Sequence, residues 1–479
     1  MELQSVVVGL APEDRHVLVD CHSRTCRIAD TTHMTLLRLL SVTSLLLLLS
    51  ACATRGVVVN TPGPVPDNEP SYSLRTFQQQ WETDENALML AFSGGGSRAA
   101  ALSYGVLKEL RDTPVTTVSG GKRLLDEVHS ISSVSGGSFT SAYYGLHGDG
   151  IFDDYEDVFL RQNVEGALFR RLFNPLLWFS NTGRTEMAAN YYDKTLFKGA
   201  TFADLSQQEG PMIVINSSDL GYGVRFSFIQ EYFTLLCSDL STFPVSRAVT
   251  ASSAVPVLFN PVVLRNYPEC GTQLPDWLKA ARARASGNPE MIMVVEGLET
   301  YYDRDERQYA HFVDGGLTDN LGLRALYEIV SLSGGTLAEY NKKYNRQPPK
   351  RVVMISVNAS TEPGHHMDSS DKQPSLGKTI GAMSDIQLHR YNTAAIELMK
   401  KTLVSWTQGM STEGHHVEPY FILLDFNGIH DPERRKALNQ IPTSFNLSDE
   451  QVDLLIEAGG ELLRTNPEFQ RLLNDLGEG

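Results

Sequence analysis

Apolar residues along this chain gather in short unbroken runs instead of falling at every second position. Met291-Ile-Met-Val-Val295, Arg351-Val-Val-Met-Ile-Ser-Val357 and Tyr420-Phe-Ile-Leu-Leu424 are clear cases, as is Ala87-Leu-Met-Leu-Ala-Phe92, while Glu127-Val-His-Ser-Ile-Ser-Ser-Val134 is a more polar β-like stretch. A strand apolar on both faces is buried on both faces, the habit of parallel strands covered by crossover helices. Helical stretches lie between: Ser138-Phe-Thr-Ser-Ala-Tyr-Tyr-Gly145 directly follows one run. Ser448-Asp-Glu-Gln-Val-Asp-Leu-Leu-Ile-Glu-Ala-Gly-Gly-Glu-Leu-Leu463 opens with a capping box and has helical apolar spacing, so it is expected to pack as a closing helix. The pattern predicts an α/β domain over 86–479, with a mainly parallel central sheet flanked by helices.

Two of these stretches, and a third short apolar run at His311–Asp314, end in turns that can carry chemistry. Val134 gives way to Ser135-Gly136-Gly137, and a serine on a tight strand-to-helix turn has its Oγ lifted toward substrate. Ala87–Phe92 runs into Ser93-Gly94-Gly95-Gly96-Ser97-Arg98, where glycines beside a helix start leave backbone N–H groups for an anion. A developing oxyanion needs that arrangement. The third, His311-Phe-Val-Asp-Gly-Gly316, places Asp314 at the tip of a glycine turn.

Together the three turns resemble the patatin-like phospholipases, which carry a G-G-G-x-R loop, a G-x-S-x-G elbow and a D-G-G turn in this order. Ala251-Ser-Ser-Ala-Val-Pro-Val-Leu-Phe-Asn-Pro261 is similar to a further block of that family, and Ile213-Val-Ile-Asn-Ser-Ser-Asp-Leu220 sits where it has a core strand. The resemblance runs from about residue 87 to about 360, with Ser133 replacing the first elbow glycine and Ser93 opening the loop. It implies a three-layer patatin-like fold and a lipid acyl hydrolase of phospholipase or lysophospholipase type. It further implies a dyad in which Ser135 attacks and Asp314 is its base, with Gly94, Gly95 and Gly96 as the oxyanion site. No cofactor and no metal is implied. Arg98 is expected either to face substrate phosphate or to support the loop.

The N-terminus bears on location. Met34-Thr-Leu-Leu-Arg-Leu-Leu-Ser-Val-Thr-Ser-Leu-Leu-Leu-Leu-Leu-Ser-Ala-Cys52 is short for a membrane span, carries Arg38 before its apolar run and closes in small residues, like a secretory signal. Leu49-Ser50-Ala51-Cys52 matches the bacterial lipobox, in which Cys52 is acylated and becomes the first mature residue. The 33 residues before Met34 lack signal character, so Met34 is the expected start. Residues 1–52 are therefore assigned to extension and signal, and 53–85 to a tether whose prolines hold the body off a membrane. Ala53 after the lipidated cysteine resembles outer-membrane lipoproteins, so the expected site is the bacterial cell envelope.

Charge narrows the partners. The formal net charge is −16, and 1–52 holds five acidic and four basic residues, so the remainder still carries −15. That surface argues against nucleic acid, and it leaves membrane attachment to the acyl chains on Cys52. Cys237 and Cys270 form a candidate disulfide in an exported chain. Cys21 and Cys26 have no partner pair for a metal site. Ala167-Leu-Phe-Arg-Arg-Leu-Phe-Asn-Pro-Leu-Leu-Trp-Phe179 reads as an apolar wall over the serine or as a core helix broken near Pro175. Lys342–Lys350 and Glu362–Pro374 read as exposed loops.

Rival readings remain open. A Ser-His-Asp hydrolase would draw its base from His365, His366, His389, His415, His416 or His430. Gly94-Gly-Gly-Ser-Arg-Ala99 fits G-x-G-x-x-A, although the acidic residue expected after the next strand of a nucleotide-binding fold is missing. A non-catalytic anchored lipoprotein is the third alternative.

Overall fold

The computed structural model describes residues 56–63, 72–80, 85–117, 120–164, 166, 183–256, 258–362 and 371–477. The signal-like segment with Cys52, the proline-rich stretch 64–71, the apolar segment 167–179 and His365 and His366 lie outside the described residues.

Eight strands form the main sheet: β1 (Asn86–Phe92), β2 (Val128–Val134), β3 (Met212–Asp219), β4 (Arg225–Ser227), β5 (Val262–Arg265), β6 (Tyr309–Asp314), β7 (Arg351–Val357) and β8 (Glu418–Leu424). Their order is β8-β7-β1-β2-β3-β6-β5, with β4 also on β3. From β8 to β3 every neighbour is parallel. Beyond β3 the sense changes, because β6, β5 and β4 are antiparallel to their neighbours.

Six helices matter for the site and its support: α1 (Gly96–Asp112), α2 (Gly136–His147), α3 (Val245–Ser252), α4 (Leu323–Ser333), α5 (Leu376–Met410) and α6 (Asp449–Thr465). Alternate side chains of β1 and β7 enter two separate cores. Leu88, Leu90, Phe92, Val353 and Ile355 join residues of α1, α2 and α6. Ala91, Val352 and Met354 join Leu326 of α4 and Met399, Leu403 and Trp406 of α5. Burying one such Leu or Ile contributes roughly 1.5–3 kcal/mol, so strands apolar on both faces hold both helix layers. Helices α1 and α6 approach backbone to backbone, since a Cβ on Gly105 would stand 2.2 Å from the Ile456 carbonyl oxygen. Helix α6 thus closes this layer, and one more helix, Pro467–Gly477, follows it. Among the described residues, no helix is long and apolar enough to cross a membrane.

Three details differ from the sequence expectation. Met291–Val295 belongs to a helix, Pro289–Glu299, not a strand. Asn288 caps it by accepting the Met291 N–H at 3.2 Å, and Met291, Val294 and Val295 are buried while Ile292 and Met293 are exposed, a helical period. Lys342 and Lys343 complete a helix, Leu337–Lys343, instead of opening a loop. Parts of the expected tether are also packed on the body. Thr61–Pro62 pairs antiparallel with Ser238–Asp239, and the buried Asn60 amide donates to the Arg265 carbonyl at 2.9 Å. Tyr72 is 2% exposed; its hydroxyl accepts the Ile213 N–H at 2.8 Å and donates to the Ile213 carbonyl at 3.0 Å. The polar composition of this stretch concealed these few buried anchors.

Candidate active site

Ser135 stands between β2 and α2 at φ 49° and ψ −118°. Non-glycine residues seldom adopt positive φ, and a strained strand-to-helix turn is what exposes a nucleophilic hydroxyl. Crowding explains the two glycines that follow. A Cβ on Gly136 would lie 2.0 Å from the Gly96 carbonyl oxygen, and one on Gly137 would lie 2.8 Å from that of Ser93. The start of α2 therefore sits directly against the start of α1. Ser133 is accommodated at the elbow: its buried hydroxyl accepts from Ser141 at 2.6 Å and donates toward the Val214 carbonyl at 3.5 Å.

The two residues expected to form a pair meet. Ser135 Oγ donates to Asp314 Oδ2 at 2.8 Å, and the Gly316 N–H donates to Asp314 Oδ1 at 2.8 Å. Ser135 is 5% exposed and Asp314 9%. Burial pushes the Asp314 carboxyl up to about 6, while the bonds from Gly316 and Ser135 pull it back down. A carboxylate withdrawn from water holds its proton more tightly, so this group is a better base near neutral pH than a free aspartate.

The glycine loop supplies fewer free donors than its sequence suggests. Gly94 donates its N–H to the Asn320 carbonyl at 2.9 Å, so the expectation that Gly94, Gly95 and Gly96 all serve an oxyanion is corrected for Gly94. Its place is steric: a Cβ there would stand 2.7 Å from Asn320 Oδ1 and 3.3 Å from the Ser135 Cβ. The N–H groups of Gly95 and Gly96, and of Gly136 after the serine, have no partner among the described residues. Gly95 at φ 139° and Gly96 at φ 60° occupy conformations that glycine takes readily.

Arg98 is buried with its guanidinium engaged. Nε donates to the Ala359 carbonyl at 2.8 Å, Nη1 to the Ile441 carbonyl at 2.6 Å and Nη2 to Thr443 Oγ1 at 2.9 Å. Burial lowers its pKa to about 10, which leaves it charged at neutral pH. Of the two roles expected for Arg98, the contacts fit loop support, because they tie the start of α1 to the chain after β7 and to residues 441–443.

Sequence reasoning missed the polar supports beneath the pair. Ser135 donates its N–H to Ser252 Oγ at 2.9 Å, and the Asn216 amide donates to Ser132 Oγ at 3.0 Å and to the Ser133 carbonyl at 3.1 Å. The Ala251–Pro261 block was recognisable, but nothing singled out Ser252 within it. Nearby, the buried Arg225 donates to Glu328 Oε2 at 2.8 Å and to Asn216 Oδ1 at 3.1 Å.

Among the described residues no histidine bonds to Ser135 or Asp314. His389 instead contacts the Asp385 and Thr361 carbonyls at 2.7 and 2.6 Å, His415 the Pro349 carbonyl at 3.1 Å and His416 Glu418 at 2.8 Å. The same residues hold no group of three or more His, Cys, Asp or Glu placed to ligate a metal. Cys237 and Cys270 are joined as a disulfide.

A family model described as patatin-like phospholipase matches residues 90–327, the part of the chain that holds the elbow, the glycine loop and Asp314. The fold is the patatin fold, and the match supports a lipid acyl hydrolase at family level. Human GIVD cytosolic phospholipase A2 is a structural neighbour with a TM-score of 0.44 and 12% identity, over 88% of this chain and 72% of that one. The same enzyme in complex with methyl gamma-linolenyl fluorophosphonate gives a TM-score of 0.38 at 12% identity, over 88% and 69%. No curated protein matches the sequence.

Proposed function

We propose that the protein is a serine lipid acyl hydrolase that cleaves carboxylic esters of phospholipid or lysophospholipid type through a Ser135–Asp314 dyad. The observation that carries this reading is the 2.8 Å bond from Ser135 Oγ to Asp314 Oδ2 on a strained elbow, with unpartnered N–H groups at two adjoining helix starts. Ser135 Oγ attacks the acyl carbonyl as its proton passes to Asp314. The Gly95 and Gly96 N–H groups, joined by that of Gly136, take the charge that develops on the carbonyl oxygen. Asp314 then returns the proton to the departing alcohol, leaving an ester on Ser135. Water activated by Asp314 hydrolyses that ester and restores the serine.

The reading extends to location. The lipobox ending in Cys52 makes the protein a lipoprotein of the bacterial cell envelope, held by acyl chains and not by charge. The Cys237–Cys270 disulfide supports an oxidising compartment.

Turnover of vesicle phospholipid and of a soluble ester tests the chemistry, with native protein compared against Ser135→Ala and Asp314→Asn. Both variants are expected to lose roughly 10⁴-fold or more in kcat while still folding. An Asp314→Asn protein that stays active would transfer the base role to a histidine, and a native protein inert on all esters would leave a non-catalytic lipoprotein. Mass spectrometry of the membrane-extracted chain, with Cys52→Ala as control, tests the anchor.

A further inference from the structure

We infer that Ser252 is a positioning residue that sets the nucleophile against its base, an inference that rests on the dyad proposed above. Ser252 is fully buried at the end of α3 and holds both halves of the pair. Its hydroxyl accepts the Ser135 N–H at 2.9 Å and donates to the Asn216 carbonyl at 2.6 Å. With its one proton committed, its 2.9 Å contact with Ser138 Oγ is donated by Ser138. The hydroxyl thereby makes one donation and two acceptances, its full complement. Through the backbone, the Ser252 carbonyl accepts the N–H of Gly315, the residue after Asp314, at 3.1 Å. The Asp314 N–H is held two residues further on, by the Ala254 carbonyl at 3.0 Å. The Asn216 carbonyl that receives the Ser252 proton lies under the same turn, since a Cβ on Gly315 would come within 2.5 Å of it.

One residue therefore grips the nucleophile by side chain and the acid turn by main chain. A residue at strained φ and ψ persists only where its surroundings over-determine it. At Ser135 the Gly136 and Gly137 contacts act on one side and the Ser252 bond on the other. Removing the Ser252 hydroxyl strands a buried N–H and lets the elbow relax, which displaces Oγ from Asp314. A misplacement of about 1 Å between reacting groups costs on the order of 100-fold in rate. Relaxation also weakens the bond from Ser135 that helps hold the Asp314 carboxyl down.

The test compares the full native chain with Ser252→Ala, Ser138→Ala and Ser135→Ala. It measures turnover of a soluble short-chain ester against pH, labelling of Ser135 by a fluorophosphonate, and thermal melting. Ser252→Ala is expected to lose on the order of 100-fold in kcat, with little change in KM, slower labelling and an acid limb moved to higher pH. Ser138→Ala, which removes the other donor to the same hydroxyl, is expected to keep the native midpoint and most of the rate. Native labelling in Ser252→Ala, an unmoved midpoint, or a Ser138→Ala variant that reproduces both effects would reduce Ser252 to a packing residue. Should Ser252→Ala not fold, Ser252→Cys keeps the volume with a weaker acceptor: a raised midpoint upholds the inference and native behaviour overturns it. A Ser135→Ala variant as active as native protein sinks the dyad itself and with it the basis of this inference, a result separate from every Ser252 outcome.

Discussion

Ser135 and Asp314 are 2.8 Å apart, yet they are held by different kinds of structure. Ser135 belongs to the parallel half of the sheet, and most of its geometry comes from its own turn: the end of a buried strand, a positive φ and two glycines packed against Gly96 and Ser93, with Ser252 as the hydroxyl that takes its N–H. Asp314 belongs to the antiparallel half. Its backbone is held by carbonyls at Ser252 and Ala254, and it lies beside a strand whose Asn216 is fixed by Arg225 and, through Arg225, by Glu328. The proposed nucleophile is shaped mainly by its own turn, with Ser252 as a remote tie, and the proposed base is delivered by distant chain. Damage to the first should fall on rate, and damage beneath the second should fall mainly on stability.

The largest effect expected on stability tests the distant half. Glu328→Gln leaves the Arg225 charge buried without its partner, and breaking such a pair costs about 3–5 kcal/mol. Denaturant unfolding reads this directly. A variant as stable as native protein would mean that the ion pair does not brace the antiparallel strands.

Slightly smaller, and on the local half, is Gly96→Ala. The new Cβ would meet the Ser444 carbonyl oxygen at 2.6 Å in a residue at φ 60°, so the loop must shift and its N–H groups lose their aim. A fall in kcat of roughly 100-fold or more is expected, the scale for losing one oxyanion donor. Native kcat in a folded Gly96→Ala protein would place the oxyanion site elsewhere.

The pH dependence joins the two halves at Asp314. As the proposed base it must be ionised, so kcat should rise with pH through a midpoint of about 6. Stability should move the other way. The folded state raises this carboxyl from 3.8 to about 6, so the stabilisation from its bound proton is present below about pH 4 and lost as pH rises through about 6. Asp314→Asn is therefore expected to unfold at higher denaturant than native protein at pH 8, by on the order of 1–3 kcal/mol, with the gap closing toward pH 4. A gap independent of pH would show that burial of the charge is not what the native protein endures for its activity.

The smallest effect is expected at the histidines. His389→Gln and His416→Gln should change kcat by no more than about twofold, as do substitutions away from a working site. A collapse in either would make that histidine the base.

Much of this was legible in order along the chain. The two-sided apolar runs disclosed the parallel strands β1, β7 and β8, and Ser135 and Asp314 stood out because the small residues of their turns stand beside them in the chain. Misreadings arose where the deciding partner is remote. Met291–Val295 is as apolar as a strand, but its cap at Asn288 and its one-sided burial make it helical. Asn60 and Tyr72 sit in a polar, proline-bearing stretch, and their anchoring depends on Arg265 and Ile213.

By itself the sequence determined the layered α/β plan, the elbow, the glycine loop and the identity of the two groups that meet. These follow from the period of burial and from local steric demands, which act between near neighbours. Tertiary structure alone decided that Gly94 spends its N–H on Asn320, that Arg98 is locked into carbonyls, that Ser252 links elbow to acid turn, and that the carboxyl of Asp314 rises to about 6. Hydrogen-bond satisfaction and desolvation depend on which atoms are brought together and how far water is excluded, and the chain discloses neither until it has folded.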